Sequence, residues 1–210
     1  MSASSSAPGA QQRRFAAYLD SLARAAGHRD RAVPLESYCT GLVLPGERKS
    51  VEPMAARLAP EDVQRMHQSL HHFVANAPWS DAALLETVRH FVLPVMKRNR
   101  PVVAWIVDDT GLVKKGTHSV GVGRQYCGQV GKQENCRVAV SISVATEQAS
   151  FPIAWRLYLP EIWTKDRKRR KETGIPEEIS FATKPASALQ QIRKAVEEEV
   201  TPAPVLADAA

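Results

Sequence analysis

An α+β fold is predicted for this chain, an all-helical N-terminal domain followed by a second domain of strands and helices. Three observations carry that prediction. From Gln11 to about Met96, apolar residues recur at three- and four-residue spacing, the period of a helix face. At Lys97-Arg98-Asn99-Arg100-Pro101 a basic hinge interrupts the pattern, and from Val102 onward β-branched and alternating residues take over. A single helical pattern, Pro185 to Val200, then delivers the chain into a last apolar run that ends at Asp208. The expected organisation is a disordered polar arm over 1–11, a helical domain over 12–98 and the mixed domain over 99–210.

The elements follow in order. Phe15, Tyr18, Leu19, Leu22 and Ala26 share one face of a first helix that Gly27-His28 closes. Pro34 opens a short second helix and Pro45-Gly46 breaks it. Ser50 is placed to cap Val51 to Leu58, where Pro53 in the first turn loses no intrahelical bond. Pro60 starts a longer helix with Val63, Met66, Leu70, Phe73 and Val74 inward, and Ser80 caps a fifth carrying Leu84, Leu85, Val88, Phe91 and Val92. Beyond the hinge, Val102 to Val107 reads as a strand ending in Asp108 and Asp109. Ser119 to Gly128 and Arg137 to Ala145 complete a three-strand meander, and Phe151 to Leu159 adds a fourth short strand. The charge-dense run Lys165 to Lys171 belongs at the surface. Leu189, Ile192 and Val196 form the inner stripe of the last helix, and Ala203 to Ala207 is a buried strand.

Composition narrows the function classes. Of 210 residues, 44% are apolar and 24% charged, and no apolar run approaches the length that spans a bilayer, so no membrane association is expected. The polar start lacks the apolar core of a secretory leader, which predicts a cytoplasmic protein. Cys39, Cys127 and Cys136 lack CxxC spacing and read as small buried thiols. His67 and His71 are four apart on a helix, without the glutamate or further ligand of a zinc site. A net charge of +6 favours polyanionic partners.

Two predicted strands, about a hundred residues apart, deliver acids: Asp109, with Asp108 as the alternative, and Asp208. A strand-end aspartate taken alone more commonly caps a turn. Clustered carboxylates from separate elements, however, are what hard cations need when a substrate phosphate completes their shell, and paired cations activate a nucleophile and neutralise a leaving oxygen in phosphoryl transfer. Lys114 and Lys115, just past the first acid, are candidates to neutralise backbone phosphates. Arg48 and Lys49 precede a helix N-terminus, a geometry suited to phosphate.

The words around the acids are specific. Ile106-Val107-Asp108-Asp109-Thr110-Gly111, Lys114-Lys115-Gly116-Thr117-His118-Ser119-Val120-Gly121-Val122 and Arg124-Gln125-Tyr126-Cys127-Gly128 resemble the opening of the catalytic domain of bacterial insertion-sequence transposases of the DDE superfamily endonuclease type. Gly131 to Cys136, Arg156-Leu157-Tyr158-Leu159-Pro160 and Val205-Leu206-Ala207-Asp208-Ala209 extend the likeness. Tyr38 to Leu42, Pro45 to Ser50 and Gln68 to Phe73 resemble the N-terminal domain of the same proteins. The resemblance covers about residues 12 to 210.

It implies a ribonuclease H-like α/β domain with a mixed sheet, incomplete here, behind a helical DNA-binding or dimerisation domain. It also implies that Asp109 and Asp208 are catalytic metal ligands, with magnesium or manganese as the cofactor of the full-length enzyme. The implied activity is cleavage of double-stranded DNA at element ends and strand transfer into target DNA. The family's third acid, a glutamate on a helix past the second aspartate, has no counterpart, because only two alanines follow Asp208. A truncated, inactive N-terminal portion is therefore expected. The alternative is a non-catalytic DNA-binding or dimerising module that pairs with intact transposase and modulates it, or forms a homodimer.

Overall fold

The computed structural model describes residues 9–98 and 100–208; most of the polar arm, Asn99 of the hinge and the last two alanines lie outside that description. The chain divides into two compact units between Pro94 and Val95, four residues before the expected boundary.

The first unit holds the five expected helices: α1 (Ala10–Ala25), α2 (Ala32–Val43), α3 (Val51–Leu58), α4 (Val63–Ala75) and α5 (Asp81–Lys97), the last running across the division. Leu22, Ala26, Leu35 and Phe73 make one core, backed by Tyr18, Trp79, Leu84 and Val88. Met54, Ala55 and Leu70 make a second, and Tyr38 packs against both. Ser80 caps α5 as expected, its Oγ accepting from Ala83 N at 3.2 Å. Ser50 stands at the start of α3 but its hydroxyl makes no cap bond. The cap of α4 is Asp62 rather than Pro60, with the carboxylate accepting from Arg65 N. Val74, expected inward, is exposed.

In the second unit, β1 (Ala104–Val113), β2 (Gly123–Cys127), β3 (Lys132–Ala145), β4 (Ser150–Tyr158) and β5 (Val205–Ala207) form one mixed sheet. β3 organises it. Val138, Val140, Ile142 and Val144 alternate along its buried side, the period-2 signature of a strand with one face in the core. One edge of β3 pairs antiparallel with β1 along ten residues. The other edge carries β2 over Lys132 to Cys136 and β4 over Val138 to Ala145. The expected meander is therefore wrong in connectivity: β2 pairs with β3 and not with β1, and Ser119 to Val122 turn rather than extend. β5 joins the far edge of β1 in parallel, with Trp105, Ile106 and Val107 opposite Val205, Leu206 and Ala207.

Two short helices, α6 (Glu161–Lys165) and α7 (Arg167–Thr173), and a longer one, α8 (Lys184–Glu197), complete the unit. The basic run is more than a solvated surface. Trp163 is fully buried and donates to Val122 O at 2.7 Å, while the Arg169 guanidinium lies 4.6 Å over its ring. Arg170 donates to the carbonyls of Thr164, Pro176 and Glu177. Lys165, Arg167, Lys168 and Lys171 stay exposed.

α8 packs on β3 and β4 through Ser187, Ala188, Gln191 and Ala195, not through the expected stripe; Leu189 and Val196 are 47% and 58% exposed. Small side chains allow the helix to approach a sheet already filled by valines and isoleucine, and close packing outweighs the larger residues' apolar area. The final strand, expected buried, is also exposed, because β5 is an edge strand with one neighbour.

Gly111 explains one residue of the Asp-Asp-Thr-Gly word. A Cβ built there would stand 2.6 Å from Cys127 Sγ and 3.1 Å from its Cα, so the end of β2 closes on β1 only over a glycine. Gly111→Val should destabilise the chain by about 2 kcal/mol in urea unfolding, as overpacking does. Gly128→Ala, where a Cβ meets nothing within 4 Å, should change stability by less than about 0.5 kcal/mol.

Candidate active site

Asp108 and Asp109 lie in the middle of β1, not at its end. The strand continues through Thr110-Gly111-Leu112-Val113 because β3 is long enough to pair with all of it, down to Cys136. Successive residues of a strand face opposite ways, so the two acids serve different faces. Asp109 pairs with Val140, which in turn pairs with Arg156, and this rung faces α8. Asp108 pairs with Ser141, whose Oγ donates to its main-chain carbonyl at 3.4 Å, and its side chain is exposed on the other face.

α8 is fastened over the Asp109 rung by polar contacts at three positions. Gln191 Nε2 donates to Val140 O at 3.2 Å. Arg156 donates to Gln190 Oε1. The third is an ion pair: Lys184 Nζ stands 2.6 Å from Asp109 Oδ2, with the two side chains 33% and 35% exposed. Lys184 is the first residue of α8, behind Thr183, whose hydroxyl accepts from Ala186 N at 3.3 Å, and ahead of Pro185. Its ammonium also lies 5.9 Å from the centre of the Tyr158 ring. Sequence reasoning missed Lys184, although a signal existed: a cation in the first turn opposes the helix dipole, which favours acids there.

Asp208 follows directly on β5 and is exposed. Since Ala207 pairs in parallel with Val107, Asp208 comes level with Asp108 and one rung short of Asp109. The parallel pairing thus brings Asp208, a hundred residues on in sequence, to the strand beside Asp108 and Asp109, on the rung of Asp108.

Of the basic candidates, Lys115 is exposed just beyond β1 and Lys114 is half-buried. Asn135 Nδ2 donates to Lys114 O at 2.7 Å and Gly116 O at 2.8 Å, pinning the turn that carries both lysines against β3. The neighbouring Glu134 carboxyl is held below its usual range by the Asn135 backbone N–H, and then by Lys132. Arg48 and Lys49 belong to the helical unit and are exposed; the Lys49 ammonium donates to Leu44 O, and Arg48 O accepts from Arg57 at 3.0 Å. Burial raises the Cys136 thiol, with Cys127 beside it adding to the effect, and burial likewise raises Cys39.

Carboxylate oxygens are the donors that magnesium and manganese take. Among the described residues, no group of three or more His, Cys, Asp or Glu side chains gathers into a ligand set. Asp109 and Asp208 offer that oxygen chemistry from neighbouring strands, one rung apart, and an ion held there would draw the rest of its shell from water and phosphate.

An antiparallel block of β4, β3 and β1 with acids on β1, a helix crossing over, and a parallel strand leading to a further acid define a ribonuclease H-like α+β domain. Residues 17–210 match the DDE superfamily endonuclease family, and the chain belongs to that family. It is similar to the "Probable transposase for insertion sequence element IS701" of Microchaete diplosiphon, 35% identical over 149 residues that make up 70% of this chain and 34% of that protein. The chain thus spans about a third of the length of that relative.

Removal of Asp109 should leave the fold intact. An ion pair with both partners a third exposed stabilises by at most about 1 kcal/mol, so Asp109→Ala should shift the urea unfolding midpoint little and keep the far-UV circular dichroism.

Proposed function

We propose that this chain is a DNA-binding portion of an insertion-sequence transposase, and that it contributes Asp109 and Asp208 to a two-metal phosphoryl-transfer site. The observation that supports the reading is the parallel pairing of β1 and β5, which makes the strand leading to Asp208 the neighbour of the strand that bears Asp108 and Asp109. Family membership and the similarity to a protein named a probable transposase support it. Asp108 is the alternative to Asp109. It is level with Asp208, but the α8 contacts converge on Asp109.

In this reading Asp109 and Asp208 hold magnesium or manganese, which supplies activation of a nucleophilic oxygen and charge neutralisation at the phosphorus. The chain's own residues do the rest. β3 fixes the height of Asp109, and α8 fixes its face. Lys114 and Lys115, on a turn pinned by Asn135, meet backbone phosphates at the end of β1, while Arg48 and Lys49 do so in the helical unit. In the whole protein the same site would cleave strands at the element's ends and join the freed 3' hydroxyl to target DNA. The helical unit is assigned to DNA binding or dimerisation, and the protein acts in the cytoplasm. No described helix is long and apolar enough to cross a membrane.

The contacts proposed are to phosphates rather than base edges, so affinity for duplex DNA should fall steeply with salt, with a log-log slope of several units. Fluorescence anisotropy over a salt series measures it, and a flat dependence or no binding at low salt removes the DNA-binding reading.

Two carboxylates support one ion poorly and a second worse, and in-line displacement needs both the attacking and leaving oxygens stabilised. The chain alone should therefore neither nick nor join supercoiled plasmid with magnesium or manganese. Nicking that vanishes in Asp109→Ala would show instead that the site is complete. An inactive chain that lowers the activity of an intact transposase in a mixing assay would favour a second reading, a module that pairs with and modulates the complete enzyme.

A further inference from the structure

Asp109 already holds a cation. Lys184 Nζ lies 2.6 Å from Oδ2, the distance of a charge-assisted hydrogen bond, on the carboxylate that the proposed site offers to a metal. The helix that carries it is seated independently, by Gln191 on Val140 O and by Gln190 with Arg156, so the ammonium is delivered to this place rather than drifting to it. Its position is also locally unfavourable. A lysine in the first turn meets the positive end of the helix dipole, and such violations of a local rule concentrate at functional sites. The ammonium is still a third exposed, and the Tyr158 ring 5.9 Å away offers it a second resting place.

We propose that Lys184 is the resident cation of the carboxylate site: a positioning residue that holds Asp109 in place until a divalent ion takes Oδ2, after which its charge is free to meet a DNA phosphate. This rests on the reading of Asp109 as a metal ligand. A single positive charge suffices to preform the carboxylate, and a doubly charged ion displaces it because the ion's attraction to the same oxygen is larger. Lys184 then competes with metal, and this separates it from a residue that only holds the fold, whose loss would loosen the site and weaken metal binding.

The test is a manganese titration of the full chain, followed by loss of the free-ion electron paramagnetic resonance signal, for wild type, Lys184→Met, Lys184→Gln, Lys184→Arg and Asp109→Asn. Circular dichroism melting checks each for folding. Wild type should bind weakly, Asp109→Asn should lose that binding, and Lys184→Met and Lys184→Gln should bind roughly tenfold more tightly. Lys184→Arg, which keeps the charge, should bind no tighter than wild type. If binding depends on Asp109 but both neutral variants bind as wild type or more weakly, the role of Lys184 is overturned and the carboxylate reading stands. If Asp109→Asn binds manganese as wild type does, or no chain binds it, both are overturned.

Discussion

The second unit depends on the length of β3. Fourteen residues in one strand provide an edge on which β1 can lie in full and an opposite edge long enough for two strands in succession. Shorten β3 from its N-terminal end and β2 loses its partner, Cys127 no longer closes on Gly111, and the turn bearing Lys114 and Lys115 loses its Asn135 anchor. Shorten it from the other end and β4 leaves, taking the Arg156 contact that helps seat α8. The alternation of Val138, Val140, Ile142 and Val144 keeps the strand from slipping, since a shift of one residue would turn all four out of the core.

The site inherits this geometry at one rung. Asp109, Val140 and Arg156 lie side by side on three strands, and α8 reaches all three positions with polar groups. The helix face doing so is otherwise small: Ser187, Ala188 and Ala195 are buried where larger residues would hold it off the sheet. Buried polar groups in a tight interface fix orientation more sharply than apolar contact does, because a displaced donor loses its partner outright. The carboxylate is thus aimed by the packing of a helix whose apolar side chains, Leu189 and Val196, largely face away.

Much of this was legible in the sequence. The helix count and the change of character at the basic hinge follow from periodicity, and the strands that carry or lead to Asp108, Asp109 and Asp208 follow from their apolar runs. What was not legible depended on three-dimensional choices. Leu189, Ile192 and Val196 make the stronger apolar stripe, yet the sheet selected the small face of α8, since close approach decides packing and periodicity alone does not measure it. β1 seemed to stop at its acids because polar residues usually end a strand, but a paired neighbour carried it on to Val113. β5 read as buried from its composition, whereas burial follows from position in the sheet, and it lies at the edge. Lys184 went unnoticed because its partner is 75 residues away, a distance no local pattern spans.

The parallel pairing of β1 with β5 also has a cost in chain closure. Ala145 and Ser150 meet across a loop of a few residues, while Trp105 and Val205 meet across a hundred. Closing the longer loop in a bare chain costs about 3 kcal/mol more in entropy, so the β3–β4 hairpin is the cheaper contact and the β1–β5 pairing, beside which the Trp105 indole donates to Thr201 O at 2.9 Å, the costlier one. The contact of Asp109 with Lys184 closes 75 residues and that of β1 with β5 closes a hundred, so both belong to the long-range closure of the chain. The strand that leads to Asp208 therefore reaches β1 only when distant parts of the chain have come together, whereas β3 and β4 need no more than the turn between them.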